Sequence, residues 1–187
     1  MKSNVARWLV SAVSLCCLSG CAAVMANFDA TPGGAVVQGQ TGPVLEGGSV
    51  ASTALISNQY ASDGLTFSSG SPAVFAAAFG PTDAPSAPNA ACPTQSNGTA
   101  GYSTATKIDV SKSNICNAWV TITKTSGPTT MTAFDFNGNQ IGPTVSSHGS
   151  SPTRAGAAET LHINACDIKR IQLAGTNYCF DDVKISR

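Results

Sequence analysis

The sequence predicts an all-β chain folded as an antiparallel β-sandwich, on three observations. Beyond residue 26 no segment keeps a helical period. Short apolar runs recur instead between clusters of Gly, Pro, Asn and Ser, which punctuate strands and turns. One run, AWVTITK at 118–124, alternates without a break: Ala118, Val120 and Ile122 share one face, Trp119, Thr121 and Thr123 the other. Such alternation marks a strand with one buried and one wet face. The chain has 187 residues, 42% of them hydrophobic and 11% charged. That is one domain's worth, long enough to bury a core and too apolar and uncharged for disorder.

The elements begin with a leader. Residues 1–7 carry Lys2 and Arg7 and no acid, and Trp8 to Leu18 form an apolar run of signal-peptide length, too short to span a bilayer. Leu18, Ser19, Gly20 and Cys21 follow, and LSGC resembles the lipobox of bacterial lipoproteins. There the cysteine sulfur is acylated and the chain is cut just before it; small residues fit the protease and the thiolate is the nucleophile. The expected organisation is a signal peptide over 1–20, a tether over 21–27 from lipidated Cys21, and one domain over 28–187. A membrane partner through the lipid follows, and Ala22 after the cysteine points to an outer-membrane lipoprotein by resemblance to the sorting rule. VMA at 24–26 offers an ordinary signal peptidase a second cut, after Ala26, which would leave the protein periplasmic or secreted. Loss of Lys2 and Arg7 leaves eight basic residues against ten acidic ones, a net charge of about −2. With no basic stripe, nucleic acid is excluded as a partner.

Nine strands are then expected. They fall at 64–68, 72–79, 105–111, 118–124, 130–136, 140–145, 160–164, 168–174 and 178–186, and FNGN at 136–139 is a turn because Asn-Gly takes positive φ cheaply. Residues 79–101, with four prolines, and the small polar stretch 146–159 are expected as long loops. The Gly-rich segment 31–49 is expected as loop with a short strand at most.

Three pieces in this order carry a resemblance: FDA at 28–30, ISNQYASDGLTFSSGSPAVF at 56–75, and the pair TAFDFNGNQIG (132–142) and IKRIQLAGTNYCFDDVKIS (168–186). Together they resemble the β-sandwich domains of secreted bacterial proteins that carry PEP-CTERM sorting tails, domains with a jelly-roll shape akin to carbohydrate-binding modules. The resemblance implies a jelly roll of about 8–10 strands whose first and last strands lie together. It also implies a structural Ca²⁺ bound by an acid of the last strand, here Asp181, with Asp29 or Asp182 assisting. The competing reading is that Asp181 and Asp182 cap a turn or bind backbone amides.

Four cysteines follow the leader, Cys92, Cys116, Cys166 and Cys179. An even count in an exported chain implies two disulfides, and the sequence leaves three pairings open. Cys92–Cys116, tying down the proline loop, with Cys166–Cys179, bracing the last hairpin, is the expected set.

No GxSxG, HExxH, Walker loop or GxGxxG occurs, so the expectation is a non-catalytic protein. Glu46, Glu159 and the aspartates could pair for glycoside hydrolysis only by converging in space. Sugar recognition uses aromatic faces bordered by amides and acids. The residues of that kind are Trp119 on its Thr-lined face, Tyr60 beside Asn58 and Gln59, and Tyr102, with the competing reading that Tyr60 is a packed corner and Trp119 the cover of a sheet. The expected function is therefore a membrane-anchored binding module for a glycan. The alternative is a structural or adhesive envelope protein whose partner is another protein.

Overall fold

The computed structural model describes residues 23–40, 49–68, 73–78, 86, 88–94, 105–124, 127–149 and 158–187. Within them lie twelve strands and two short 3₁₀ turns, Ser52–Ala54 and Ala61–Asp63. The first five strands are short: β1 (Val24–Ala26), β2 (Leu55–Ile56), β3 (Leu65–Phe67), β4 (Val74–Ala78) and β5 (Asn89–Pro93). β6 (Thr106–Val110), β7 (Asn117–Lys124), β8 (Thr130–Phe134) and β9 (Gln140–Ser146) follow. β10 (Glu159–Asn164), β11 (Arg170–Ala174) and β12 (Cys179–Ser186) complete the chain.

Two antiparallel sheets result. The larger has seven strands in the order β10-β7-β12-β5-β4-β2, with β1 beside the second half of β12. The smaller has five, β3-β6-β11-β8-β9. From β6 onward the chain changes sheet at every step except the β8–β9 hairpin, which is connectivity of the jelly-roll kind. All nine expected strands are present with slightly shifted ends. The count rises to twelve because β1, β2 and β5 join them.

The sheets close on one core. β6 buries Thr106, Ile108 and Val110 while Lys107 and Asp109 face solvent, and β11 buries Ile171 and Leu173 in the same rhythm. From the seven-stranded sheet Ala118, Val120 and Ile122 of β7 meet them, so the alternation read in AWVTITK is the observed one. Phe28 sits at the centre, its ring edge-on to Tyr60, Phe67 and Phe180 at centroid distances of 5.7, 5.3 and 5.7 Å. Each fully buried aromatic of this kind contributes about 1.5–3 kcal/mol of burial.

The beginning and end of the domain lie side by side, as expected: Val24, Met25 and Ala26 pair with Ile185, Lys184 and Val183. This corrects the tether. Residues 24–26 belong to the sheet, and Ala26 is fully buried in the core. The proline loop is corrected as well, because Asn89–Pro93 within it is β5, buried along its whole length between β4 and β12. Asn89 anchors that strand: its side-chain amide donates to the carbonyls of Phe28 and Val37, and its own N–H donates to Asp29 Oδ1.

Two disulfides form, but not in the expected pairing. They join Cys92 to Cys179 and Cys116 to Cys166. The reason is sheet order. β5 lies against the start of β12 with Phe180 opposite Ala91, which sets Cys92 beside Cys179. β7 begins where β10 ends, with Asn117 opposite Asn164, so Cys116 and Cys166 flank the same ladder. The Cys92–Cys179 bridge lies on the outer face of the larger sheet, in a second small core with Ala54, Phe75 and Ala77 that Val50 packs against.

Candidate functional site

At the other edge of that sheet the outer face is open along β10 and beside Trp119 of β7, while Thr121 and Thr123 further along β7 are buried. The indole stacks on the imidazole of His162, its register partner on β10, with centroids 4.6 Å apart and planes 2° from parallel. From β12 on the opposite side, Lys184 Nζ stands 5.1 Å from the indole centroid. Asn117 Oδ1 accepts from His162 Nε2 at 3.2 Å and from Asn164 Nδ2 at 3.1 Å, and Thr121 and Thr160 bond through their hydroxyls at 3.0 Å. Three neighbouring strands thus carry one row, His162–Trp119–Lys184, bordered by amides and hydroxyls. Because both faces of the indole are covered, Trp119 presents an edge outward. The exposed imidazole lies on β10, the outer strand of the sheet.

The other aromatic candidates do not join this row. Tyr60 is 1% exposed, and its hydroxyl donates to the Ala30 carbonyl at 3.1 Å. Burial pushes its phenol up to about 12. It closes the corner between Phe28 and Phe67 and offers no ring face to a ligand. Tyr102 lies outside the described residues, as do Cys21 and Glu46. Glu159 holds His148 at the surface: its two carboxylate oxygens lie 2.9 Å from His148 Nδ1 and the His148 N–H.

A second feature escaped the sequence reading. The β8–β9 turn is fixed by Asp135, whose two carboxylate oxygens accept from the backbone N–H and side-chain amide of Asn139 at 2.8 and 3.0 Å. These bonds hold the Asp135 carboxyl below the usual range. Gly138 takes φ +81°, as the Asn-Gly signature requires. The turn raises Phe136 to 87% exposure at the rim of a groove of about 580 Å³, lined also by Val110, Ser111, Lys169 and Arg170. The signal was there to be read: Phe136 falls inside a turn signature, where no strand face is available to bury it.

The three aspartates proposed as cation ligands are neighbours, and Asp181 spends both its oxygens, and Asp29 one, on hydrogen bonds. Asp181 is fully buried; its Oδ2 accepts from the N–H and hydroxyl of Ser86 at 3.0 and 2.8 Å, and its Oδ1 accepts from the Asp182 N–H at 2.8 Å. Desolvation, partly offset by the Ser86 bonds, pushes its carboxyl up to about 7. The Ser86 hydroxyl also faces the Asn27 carbonyl at 3.2 Å. It has one proton for two acceptors, and a proton on Asp181 Oδ2 resolves that conflict. Asp29 is raised by burial, against its bond from Asn89 and aided by the Asp182 charge. Asp182 sits at φ +48° in the bulge of β12, and its Oδ1 is buried without a partner among the described residues. A Ca²⁺ ion takes about six to eight oxygens, more than these three carboxylates supply by themselves. Among the described residues no group of three acids, histidines or cysteines is arranged to hold a metal ion.

No protein-family model and no curated protein sequence matches the chain. Among solved structures it is similar to the CBM22-1 xylan-binding domain of Paenibacillus barcinonensis Xyn10C. The similarity has a TM-score of 0.41 at 15% identity, and covers 70% of this chain and 87% of that one. A score of that size leaves the fold to rest on the chain's own strand pairing, which defines the protein as an antiparallel β-sandwich of all-β class.

Proposed function

We propose that the chain is an exported, lipid-anchored, non-catalytic module of the cell envelope that binds a glycan on the outer face of its larger sheet. The observation that carries the reading is the His162–Trp119–Lys184 row, which is registered across three strands and bordered by Asn117 and Asn164. The ring the row leaves exposed is the His162 imidazole, backed by the indole and bordered by the Asn117 and Asn164 amides. A planar ring with amide edges is what a polyhydroxylated ring recognises. Because ladder pairing rather than loops holds the row, binding costs little ordering entropy.

Two features support export and anchoring. Paired cysteines belong to oxidising compartments, and the described chain holds two such pairs. Processing after Ala26 would delete β1 and a fully buried core residue, whereas processing before Cys21 keeps both. The membrane-extracted protein should therefore have the intact mass of a chain beginning at acylated Cys21 with two disulfides. On a glycan array the purified domain should bind a polysaccharide, and Trp119→Ala should weaken that binding about tenfold or more while the circular dichroism spectrum is retained. A folded domain that binds no polysaccharide overturns the glycan reading, and crosslinking to an envelope protein would put the adhesive alternative in its place.

A further inference from the structure

We propose that the end of the sandwich bearing Phe136 lies on the phospholipid bilayer, with the Phe136 ring inserted among the lipids. This rests on the anchoring of Cys21 and extends it to an orientation. β1 starts at that end, with Val24 opposite Ile185, next to the last residue of β12. Three residue steps separate Val24 from Cys21, a reach of at most about 10 Å. A lipid on that sulfur therefore draws this end, and no other, to the membrane surface.

The β8–β9 turn belongs to the same end. β6 finishes and β7 starts there, as β10 finishes and β11 starts, and the connections are tied together. Ile168 N–H donates to the Ile115 carbonyl, Lys169 N–H to that of Phe134, and Val110 N–H to that of Lys169. β1 and the hairpin are in different sheets, about three strand spacings and one sheet gap apart. That is roughly 17 Å, so one flat surface can meet both.

A single exposed apolar side chain is ordinary on a protein surface. Phe136 differs in its position. Among the described residues it is the most exposed of the large apolar side chains, and a turn clamped by Asp135 and Asn139 presents it at the end where the lipid chain enters. Charge does not drive the docking. The basic residues there, Lys112, Lys169, Arg170 and Arg187, exceed Asp109, Asp135 and Asp167 by only one charge, so insertion should depend weakly on salt and on anionic lipid.

The mature chain has one tryptophan, Trp119, because Trp8 leaves with the leader, and a single reporter can therefore be moved. Full-length protein extracted from membranes, carrying Trp119→Phe with Phe136→Trp, is reconstituted into phosphatidylcholine vesicles containing brominated acyl chains. We expect its fluorescence to be quenched about twofold or more, as for an interfacial indole. Trp119→Phe with His148→Trp, at the opposite end of the sandwich, should be quenched little. Equal quenching at both positions, or none at 136 in protein whose intact mass shows the acyl chains, overturns the orientation while leaving the anchor standing. Protein without acyl chains overturns the anchoring and this proposal together.

Discussion

The two sheets of this sandwich treat their outer faces differently. The five-stranded sheet has one dry face and one wet one. Behind its buried residues stand Lys107, Asp109, Thr132, Arg170 and Gln172, and pairs such as Arg170–Asp109 and Thr132–Thr144 run along its exterior. The seven-stranded sheet is split. Across β4 and β5 both faces are covered, the outer one by Ala54, Phe75, Cys92 and Cys179. On β10, by contrast, the outer-face residues Thr160, His162 and Asn164 are exposed and half-buried Trp119 of β7 stands beside them, with Thr121 and Thr123 further along β7 buried. One sheet thus combines a half covered on both sides with an edge left open around His162 and Trp119.

This contrast is breakable by mutation, starting with the largest effect. Phe75→Ala, on the outer face of the covered half, should cost about 3–5 kcal/mol because it empties the second core. Thr132→Ala, on the outer face of the other sheet, loses one exposed hydroxyl contact and should cost less than about 1 kcal/mol. Urea denaturation of both variants makes the comparison; equal losses would mean that the second core contributes nothing.

The disulfides should divide the same way. Replacing Cys92 and Cys179 by Ala should cost about 3–5 kcal/mol, and replacing Cys116 and Cys166 about 2–4 kcal/mol. The first bridge closes 87 residues against 50 and also fills the second core. Thermal denaturation of the two double variants tests the order.

Next in size is a pH effect. Asp181 has a folded-state carboxyl raised to about 7 by burial, from an ordinary value of 3.8. Between those values the folded chain holds a proton that the unfolded chain has released, so its contribution is complete below about pH 4 and is lost as pH rises through 7. Tm should therefore fall across that window in the parent, and the fall should be shallower in Asp181→Asn. An equal slope in both would remove Asp181 as the cause.

The smallest effect belongs to Asp109→Ala. Arg170 and Asp109 meet at 2.7 Å but are half exposed, so the loss should stay below about 1 kcal/mol and shrink further in high salt.

The same contrast explains what the sequence could convey. β6, β8 and β11 have one wet face, and their alternation is written into the residues, as is that of β7, whose outer face carries threonines although it is largely covered. β5 has none: Asn89, Ala90, Ala91, Cys92 and Pro93 are all buried, so its period disappears, and alanine and proline are poor advertisements for a strand. Without β5 the neighbour of Cys179 could not be known, and the disulfide pairing went wrong with it. Tyr60 reads both as a binding aromatic beside Asn58 and Gln59 and as a packed corner; the corner is what forms, and the two amides serve the turn, where Gln59 bonds Ser57 and Leu55. Of the site, the sequence supplied Trp119 and its face. His162 and Lys184 were out of reach because stacking depends on register between strands distant in sequence.

β12 deserves a last consequence. It lies downstream of every strand it bonds, β1, β5 and β7, and it supplies Cys179 to one bridge and sets Phe180 against Phe28. A polypeptide emerging from the ribosome head first must therefore wait for residues 179–186 before the larger sheet can be zipped, and until then that sheet stays open and threadable.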